Sequence, residues 1–210
     1  SRLLGTAEAV RELLAQLPTH EAWLGCSGLH VNFTDAGNDA LFAEDARWLH
    51  RRDCQFRWQQ RGYGDFEGFL ASLTADRRKK IRQERRKVAA AGVGFRILEG
   101  SQITPSDWDF FYLCYEQTYL EHGSSPYLNR NFFKRMASNM PEDWVLFVAE
   151  REGHPIAVSL IGLHLDDQGE PEVAYGRYWG ALERVDCLHF EACYYQPIEW
   201  CITQIGRAHV

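Results

Sequence analysis

The sequence predicts an α/β fold with mixed α+β sheets, and three observations point to that class. Apolar side chains recur three and four positions apart in several segments, which is the spacing of a buried helix face. In other segments they alternate with polar side chains, which is typical of strands. The two kinds of segment are interleaved along the 210 residues, and 45% of all residues are hydrophobic, so the chain can bury a sizeable core.

The N-terminal part of the chain is predicted to form a helix, a strand, a second helix and a second strand. Apolar spacing over Val10–Leu17 predicts the first helix, which Pro18 ends. Alternation predicts strands at Leu29–Phe33 and Cys54–Trp58. Between them we expect a helix that buries the apolar side chains of Leu41–Leu49.

Eight basic residues between Arg77 and Lys87 are the main electrostatic feature of a chain whose net charge is -6. Spacing over Phe66–Leu73 predicts a helix, and the basic run either continues it or starts a new helix near Thr74 that Gly92 ends. Because few apolar residues lie within the run, most of its surface should face solvent or a charged partner. The acidic total argues against a dedicated nucleic-acid binder.

The segment after Gly92 is predicted to form a strand, two helices, three strands and a final helix. The first of these helices has a clear start, because Thr104 is a favourable cap and Pro105 fits the first turn. Pro197 is expected to kink the final helix. The elements are a strand at Val93–Ile97, an aromatic helix over Trp108–Tyr119, a helix over Phe132–Met140, strands at Trp144–Ala149, Ile156–Leu165 and Glu172–Trp179, and a helix over Leu188–Ile202.

Cysteine and histidine spacing argues against a disulfide framework and against a metal site. Six cysteines occur at irregular intervals without a CxxC pair, which favours reduced, buried thiols. The eight histidines are scattered and show no metal-ligand spacing. No apolar run is long enough to span a bilayer and no segment reads as a signal peptide, so we expect a cytoplasmic protein.

Two motifs together resemble a known family. The first is the basic segment Arg77–Val88 followed by Gly92 and Val93, and the second is Tyr175–Gly180 followed by Leu188–Gln196. They resemble the Fem-like N-acyltransferases of the GNAT superfamily, which are also called peptidoglycan biosynthesis or recognition proteins. The resemblance covers nearly the whole chain.

The resemblance implies two GNAT-like domains in tandem, both incomplete in this chain. Residues 1–62 would form the C-terminal part of the first domain, residues 63–92 the basic linking helices, and residues 93–204 the N-terminal part of the second. Residues 205–210 match the translation of a common sequencing adapter in one reading frame, so we expect them to be a non-native tail.

The family activity implied is transfer of an acyl or aminoacyl group from an activated donor to an amine on a small molecule or peptide. The donor would be acyl-CoA or an aminoacyl-tRNA, with no metal, and the fragment alone is expected to be inactive. The phosphate loop of such enzymes resembles Arg177–Leu182, but Leu182 replaces a small residue. A non-catalytic module that recognises cell-wall precursors is therefore the alternative, and tRNA binding through the basic helix is a third hypothesis.

Two residues at the start of the final helix are the candidate general bases, Glu191 and His189. The alternatives are that Glu191 only caps the helix and that His189 packs against Tyr175 or Trp179. Strand alternation predicts that Tyr175 and Arg177 share one face while Tyr178 lies on the other. The candidate donor- or acceptor-binding residues are Tyr175, Arg177, Tyr178, Gly180, Arg82 and Arg86.

Overall fold

A computed structural model describes residues 3–23, 25–52, 54 and 56–204. The chain divides into two compact units, Ser1–Gln55 and Phe56–Val210. The expected non-native tail, residues 205–210, lies outside the described residues. The assignment of residues 1–62, 63–92 and 93–204 to parts of two domains stays a prediction.

The Ser1–Gln55 unit is built on two α-helices, α1 (Ala7–Gln16) and α2 (Ala36–Ala43), with short 3-10 helices at Leu17–Thr19 and Glu21–Trp23. Side chains cap both helix starts, because Thr6 accepts a hydrogen bond from the amide of Ala9 and Asp35 accepts one from the amide of Asn38. The small core of this unit joins three buried side chains, Val10, Leu14 and Phe42.

The prediction of two strands in the N-terminal part of the chain is wrong. Residues 29–33, and the described residues of the segment 54–58, are irregular. A strand needs a partner to satisfy its backbone groups, and alternation alone does not supply one. The helix predicted over Leu41–Leu49 is also too long, since α2 ends at Ala43 and Leu49 is 94% exposed.

The basic run forms its own helix in the Phe56–Val210 unit. Helix α3 covers Phe66–Ala71 and helix α4 covers Ala75–Ala90. The chain therefore breaks at Thr74, which decides between the two readings of the sequence. Gly92 follows α4 with a φ of 74°, the left-handed conformation that commonly ends helices.

The remaining elements follow the predicted order of strand, two helices, three strands and helix. The strands are β1 (Val93–Glu99), β2 (Trp144–Arg151), β3 (His154–Leu165) and β4 (Pro171–Ala181), and the helices between β1 and β2 are α5 (Pro105–Glu121) and α6 (Arg130–Asn139). Short 3-10 helices lie at Gly100–Gln102 and Pro141–Asp143. The predicted cap of α5 is confirmed as a reciprocal capping box between Thr104 and Asp107.

The final helix is continuous but contains a π-helical turn. It consists of α7 (Leu188–Phe190), a π segment (Glu191–Tyr195) and α8 (Gln196–Gln204), which we call the π-bulged helix. The amide of Gln196 donates to the carbonyl of Glu191, five residues back. Pro197 follows directly, and because proline has no amide hydrogen and its ring crowds the preceding turn, the wider π turn accommodates it.

The four strands form one antiparallel sheet in the order β1-β2-β3-β4, which confirms the α/β class. Helices α5 and α6 pack on one face, which we call the aromatic face, through buried residues such as Phe111, Phe133 and Leu160. The π-bulged helix covers the opposite face, which we call the polar-clamp face, where Trp200 and Cys201 pack against strands β2 to β4. The site candidates are divided between these two faces.

A β-bulge at Arg177 changes the expected alternation along β4. Tyr178 pairs with Leu160 and Gly176 pairs with Ile161, so Arg177 is the extra residue. Tyr175 pairs with Gly162, two residues from Leu160, and therefore lies on the same face as Tyr178. The prediction that Tyr178 takes the face opposite Tyr175 is wrong, because a bulge moves every later side chain by one position.

Candidate functional site

The junction between β4 and the π-bulged helix contains the exposed candidate base. Strand β4 pairs with β3, and its other edge faces no strand within the described part of the chain. Cys187 caps the helix in a left-handed conformation with a φ of 66°. His189 follows in the first helical turn and is exposed, so it lies at the end of the helix where the positive dipole and free amides are found.

Aromatic rings surround the imidazole of His189. Its ring centroid lies 5.4 Å from that of Trp179 on β4, 5.7 Å from Phe190 and 5.9 Å from Tyr194. This partial burial lowers the pKa of His189 below its ordinary value of 6.5. The imidazole is therefore neutral at neutral pH and can accept a proton.

Glu191 is two residues away but in a different environment. It is 4% exposed, and its Oε1 accepts hydrogen bonds from Arg85 Nε at 3.1 Å and from Gln196 Nε2 at 2.7 Å. Its Oε2 is buried and has no hydrogen-bond partner in the described structure. Arg85 Nη2 donates to Glu199 Oε2 at 2.6 Å, so one guanidinium joins α4 to two carboxylates of the π-bulged helix.

A second buried polar contact joins the same two helices. The hydroxyl of Tyr195 donates to the carboxylate of Glu84, which is 8% exposed and also lies 3.7 Å from Lys80 Nζ. Burial, followed by the hydrogen bond to Glu84, raises the pKa of the Tyr195 hydroxyl. Together with Arg85 and Glu191 these residues form a polar clamp, which fastens α4 to the π-bulged helix.

A cavity of about 450 Å³ opens beside the polar clamp. Its wall includes Arg85, Arg86, Phe95, Glu191 and Gln196. The structure therefore brings together two of the predicted site residues, Arg86 and Glu191. It does not bring His189 to this cavity, since residues two apart on a helix project in different directions.

The candidates on β4 lie on the aromatic face, opposite to the polar clamp. Tyr178 packs against Tyr115 and Phe133 with centroid distances of 5.2 and 5.8 Å, and Arg177 Cζ lies 5.4 Å from the Tyr178 ring. Tyr175 is about half exposed. These positions give Tyr178 a packing contact and leave Tyr175 and Arg177 at the surface.

Gly180 was expected in a phosphate loop, but it lies within β4 and pairs with Val158. A Cβ at this position would overlap the backbone carbonyl of Cys114 on α5, so glycine permits the close approach of strand and helix. The backbone amide of Leu182, directly after the strand, donates to the carbonyl of Ile156 at 2.8 Å. Strand pairing thus extends to Ala181, two residues beyond the predicted end at Trp179, and includes most of the segment Arg177–Leu182 that resembles the phosphate loop.

Comparison with known proteins finds a family model, described as peptidoglycan biosynthesis/recognition, that matches residues 2–208. The chain belongs to the FemAB-like family. This confirms the resemblance carried by the two sequence motifs. A comparison with curated proteins finds no match.

One solved structure that this FemAB-like chain resembles is described as the C-terminal domain (DUF2156) of a lysylphosphatidylglycerol synthetase from Agrobacterium fabrum. The sequence identity is 13%, the TM-score is 0.45, and the match covers 70% of this chain and 44% of that chain. The FemAB-like chain thus spans less than half the length of that protein.

The sequence motifs did not single out Arg85, Glu84 or Tyr195 of the FemAB-like chain as site residues. The spacing of apolar residues in α4 nevertheless contained this information. Ile81 and Val88 are two helical turns apart, and Glu84 and Arg85 lie between them on the same inner side of α4. Arg82, which was a candidate, instead forms an ion pair with Glu67 near the surface.

Three further observations on the described residues concern cysteine thiols, metal sites and membrane-spanning helices. Burial raises the pKa of Cys193 and of Cys201 to about 12, so both thiols stay protonated at neutral pH and fit packing roles. Within the described ranges no cluster of His, Cys, Asp and Glu has metal-site geometry. None of the described helices combines the length and the apolar character needed to cross a bilayer.

Proposed function

We propose that this chain is part of an N-acyltransferase that moves an acyl or aminoacyl group from an activated donor to an amine in cell-wall metabolism. The family match over residues 2–208 supports the link to peptidoglycan. The sheet of four antiparallel strands with helices on both faces supports a GNAT-like domain in residues 93–204. In this proposal residues 1–62 are the end of a preceding GNAT-like domain, and both domains are incomplete.

The observation that carries the proposal is the junction at which β4 leads into the π-bulged helix. The outer edge of β4 has backbone groups that pair with no described strand. The π-bulged helix begins at Leu188, seven residues after β4 ends at Ala181. The Leu188 amide donates to the Val185 carbonyl, and the amides that follow it in the first turn have no partner within the helix. A donor with phosphate and amide groups finds hydrogen-bond partners on such an edge and at such a helix start.

His189 is the general base of this proposal. It is exposed at the junction, and its lowered pKa keeps it neutral at neutral pH. The amine nitrogen of the acceptor attacks the acyl carbonyl carbon, a new C–N bond forms, and the bond from carbon to the donor's sulfur or oxygen breaks. The proton lost by the amine passes to His189, which returns it to the leaving thiol or hydroxyl.

Glu191, the other candidate base, has a positioning role in this proposal. Its Oε1 is already occupied by Arg85 and Gln196, so the carboxylate holds the π-bulged helix against α4. The position of His189 then depends on this contact, since both residues belong to the same helix. The contact therefore supports catalysis without touching the substrate.

The donor is coenzyme A thioester or aminoacyl-tRNA, and α4 offers cations to either. Arg86 lines the cavity beside the polar clamp, and Arg82 lies one helical turn earlier near the surface. Arg86 suits a phosphate group, because a guanidinium donates two parallel hydrogen bonds, whereas Arg82 must first release Glu67 to do so. Tyr175 and Arg177 are exposed on β4 and are therefore available to contact the acceptor or the donor.

The proposal is tested by mass spectrometry of acyl transfer with the full-length protein. Acetyl-CoA and alanyl-tRNA serve as donors, and L-lysine and a muropeptide with a free amine serve as acceptors. We expect transfer that His189→Ala reduces by about 100-fold or more. His154→Ala, at an exposed histidine at the start of β3, is the matched control and should retain full activity. No product from any donor and acceptor pair contradicts the proposal.

A non-catalytic module for recognition of cell-wall precursors is the second candidate. The hydrogen bond from the Leu182 amide to the Ile156 carbonyl favours it, because that amide cannot also bind a donor phosphate. Calorimetry distinguishes the two functions. Binding of a muropeptide without binding of coenzyme A or tRNA supports recognition, whereas donor binding supports transfer.

A further inference from the structure

A second cavity of the Phe56–Val210 unit shares no lining residue with the cavity beside the polar clamp. Its volume is about 450 Å³, within the range of small-molecule sites. The residues that matter for its chemistry are two arginines, three aromatic residues and a serine. They are Arg57, Arg61, Trp58, Tyr63, Phe69 and Ser72.

The two arginines of this cavity carry uncompensated positive charge. Arg57 and Arg61 are exposed, and the described residues offer neither guanidinium a hydrogen bond or an ion pair. No acidic side chain lines the cavity. The chain as a whole is acidic, with 29 acidic and 23 basic residues. On α4, Arg82 and Arg85 both form ion pairs with carboxylates. Two free guanidinium groups at one cavity therefore create a local preference for an anion.

A further part of the cavity lining is aromatic. The rings of Trp58, Tyr63 and Phe69 contact one another, with centroid distances from 5.6 to 6.0 Å. The indole nitrogen of Trp58 is buried and has no acceptor among the described groups. Ser72 Oγ donates its hydrogen to the Phe69 carbonyl at 2.7 Å, so towards the Tyr63 hydroxyl, 3.4 Å away, it can only accept.

The loop that carries the arginines is held in place by its own hydrogen bonds. Gln60 Nε2 donates to the Tyr63 carbonyl at 3.1 Å, and the Tyr63 amide donates to Gln60 Oε1 at 2.9 Å. Gly62, between them, has a φ of 80°, which few other residues adopt readily. A loop ordered before binding loses less entropy when a ligand arrives.

We propose that this cavity binds an oxyanion attached to a ring, the oxyanion being a phosphate or a carboxylate. Arg57 and Arg61 bind the oxyanion through charge-assisted hydrogen bonds, for which planar guanidinium groups are suited. The aromatic side chains of the cavity pack against the apolar ring of the ligand through face or edge contacts. The site is separate from the proposed transferase junction, and its existence does not depend on that function.

Calorimetric titration of the chain with four probes separates the contributions of charge and ring. The probes are phenyl phosphate, benzoate, inorganic phosphate and benzyl alcohol. We expect one-to-one binding of phenyl phosphate or benzoate, tighter than binding of inorganic phosphate or of benzyl alcohol. Whether phenyl phosphate or benzoate binds more tightly identifies the oxyanion. Equal affinity for inorganic phosphate and phenyl phosphate contradicts the proposed role of the ring wall.

The double substitution Arg57→Gln with Arg61→Gln tests the charges directly. We expect it to weaken phenyl phosphate or benzoate binding by about tenfold or more, because each lost hydrogen bond involves a charged donor. The matched control is Lys134→Gln with Arg135→Gln, which removes the same charge from exposed positions on α6. An equal loss in the control, or no loss in the cavity variant, overturns the proposal.

A charge-preserving variant keeps the test decisive if the glutamine variant does not fold. Arg57→Lys with Arg61→Lys retains two positive charges but removes the planar donors. We expect several-fold weaker binding with an unchanged circular dichroism spectrum. Affinity equal to that of the unsubstituted chain overturns the assignment of the oxyanion to the two guanidinium groups.

Discussion

The two faces of the four-stranded sheet are covered in different ways. On the aromatic face, helices α5 and α6 pack fully buried rings such as Phe111 and Phe133, each 1% exposed. On the polar-clamp face, the π-bulged helix buries Glu191 and is fastened to α4 through Arg85. One face is packed mainly by rings, and the other encloses a carboxylate together with its cationic partner.

This difference separates a face that stabilises the sheet from a face that orients a helix. Rings packed against rings gain from burial and from edge-to-face contacts, and they impose few directional demands. A buried carboxylate needs a partner of opposite charge in fixed geometry, so it contributes little net stability but orients what it holds. The polar clamp thus orients the helix that carries His189, whereas the aromatic face holds the sheet together.

Phe133→Ala, on the aromatic face, is expected to have the largest effect on stability. It removes a buried ring that contacts Phe111 at a centroid distance of 4.9 Å, and the resulting cavity should lower the free energy of unfolding by about 4 kcal/mol. Phe132→Ala, at the adjacent and 42% exposed ring, is the control, with an expected loss of about 1 kcal/mol. Urea unfolding measures both, and similar losses contradict the comparison.

Gly180→Ala tests the contact between β4 and α5. An added Cβ overlaps the carbonyl of Cys114, and because backbone must move to relieve it, we expect a loss of about 3 kcal/mol. Gly176→Ala, on the same strand with no atom within 4 Å of the added Cβ, should cost less than about 0.5 kcal/mol. Thermal unfolding of the two variants checks the prediction, and equal melting temperatures would count against it.

Glu191→Ala breaks the polar clamp and leaves Arg85 largely buried without one of its two partners. We expect the free energy of unfolding to fall by about 2 kcal/mol, less than for a fully enclosed pair, because Arg85 keeps Glu199. Glu199→Ala removes the more exposed partner and should cost about 0.5 kcal/mol. Chemical denaturation that ranks the two variants in the opposite order is inconsistent with a buried clamp.

Asp107→Asn is expected to change how the free energy of unfolding depends on pH. Burial raises the pKa of Asp107, but hydrogen bonds from Thr104 and Arg96 outweigh it, so the net pKa is below the ordinary 3.8. The ionised carboxylate therefore stabilises the fold above about pH 4, and this stability is lost as pH falls through the lowered folded-state pKa.

Unfolding measured from pH 7 to pH 2 should show a smaller loss in the Asp107→Asn variant, by about 1 kcal/mol. Asp167→Asn, at an exposed position, is the control and should follow the unsubstituted protein. Parallel acid profiles for all three proteins contradict the role given to the cap.

Local signals allowed much of the second unit to be predicted from sequence. Thr104 and Pro105 start α5 through contacts within one helical turn, as their residue types predicted. Helix α4 was recognised from its basic run, although its separation from α3 was left open. Such features depend on neighbours in sequence, which a single chain displays directly.

The features that failed depend on contacts between distant residues. The side on which Tyr178 lies is set by the bulge at Arg177, which depends on pairing with β3. The enclosure of Glu191 depends on Arg85, 106 residues earlier in the chain. Alternation at Leu29–Phe33 predicted a strand, but these residues are irregular. None of these could be read from local spacing.

The pH profile of kcat/KM for acyl transfer by the full-length protein tests the central claim most directly, with whichever of acetyl-CoA and alanyl-tRNA reacts. The claim is that exposed, neutral His189 accepts the amine proton while enclosed Glu191 only positions it. Besides the rise at higher pH with which the acceptor amine loses its own proton, the account predicts a rise below pH 6.5, because the pKa of His189 is lowered from that value. His189→Ala should abolish this rise and lower kcat by about 100-fold or more. An unchanged profile and kcat in that variant would contradict the account.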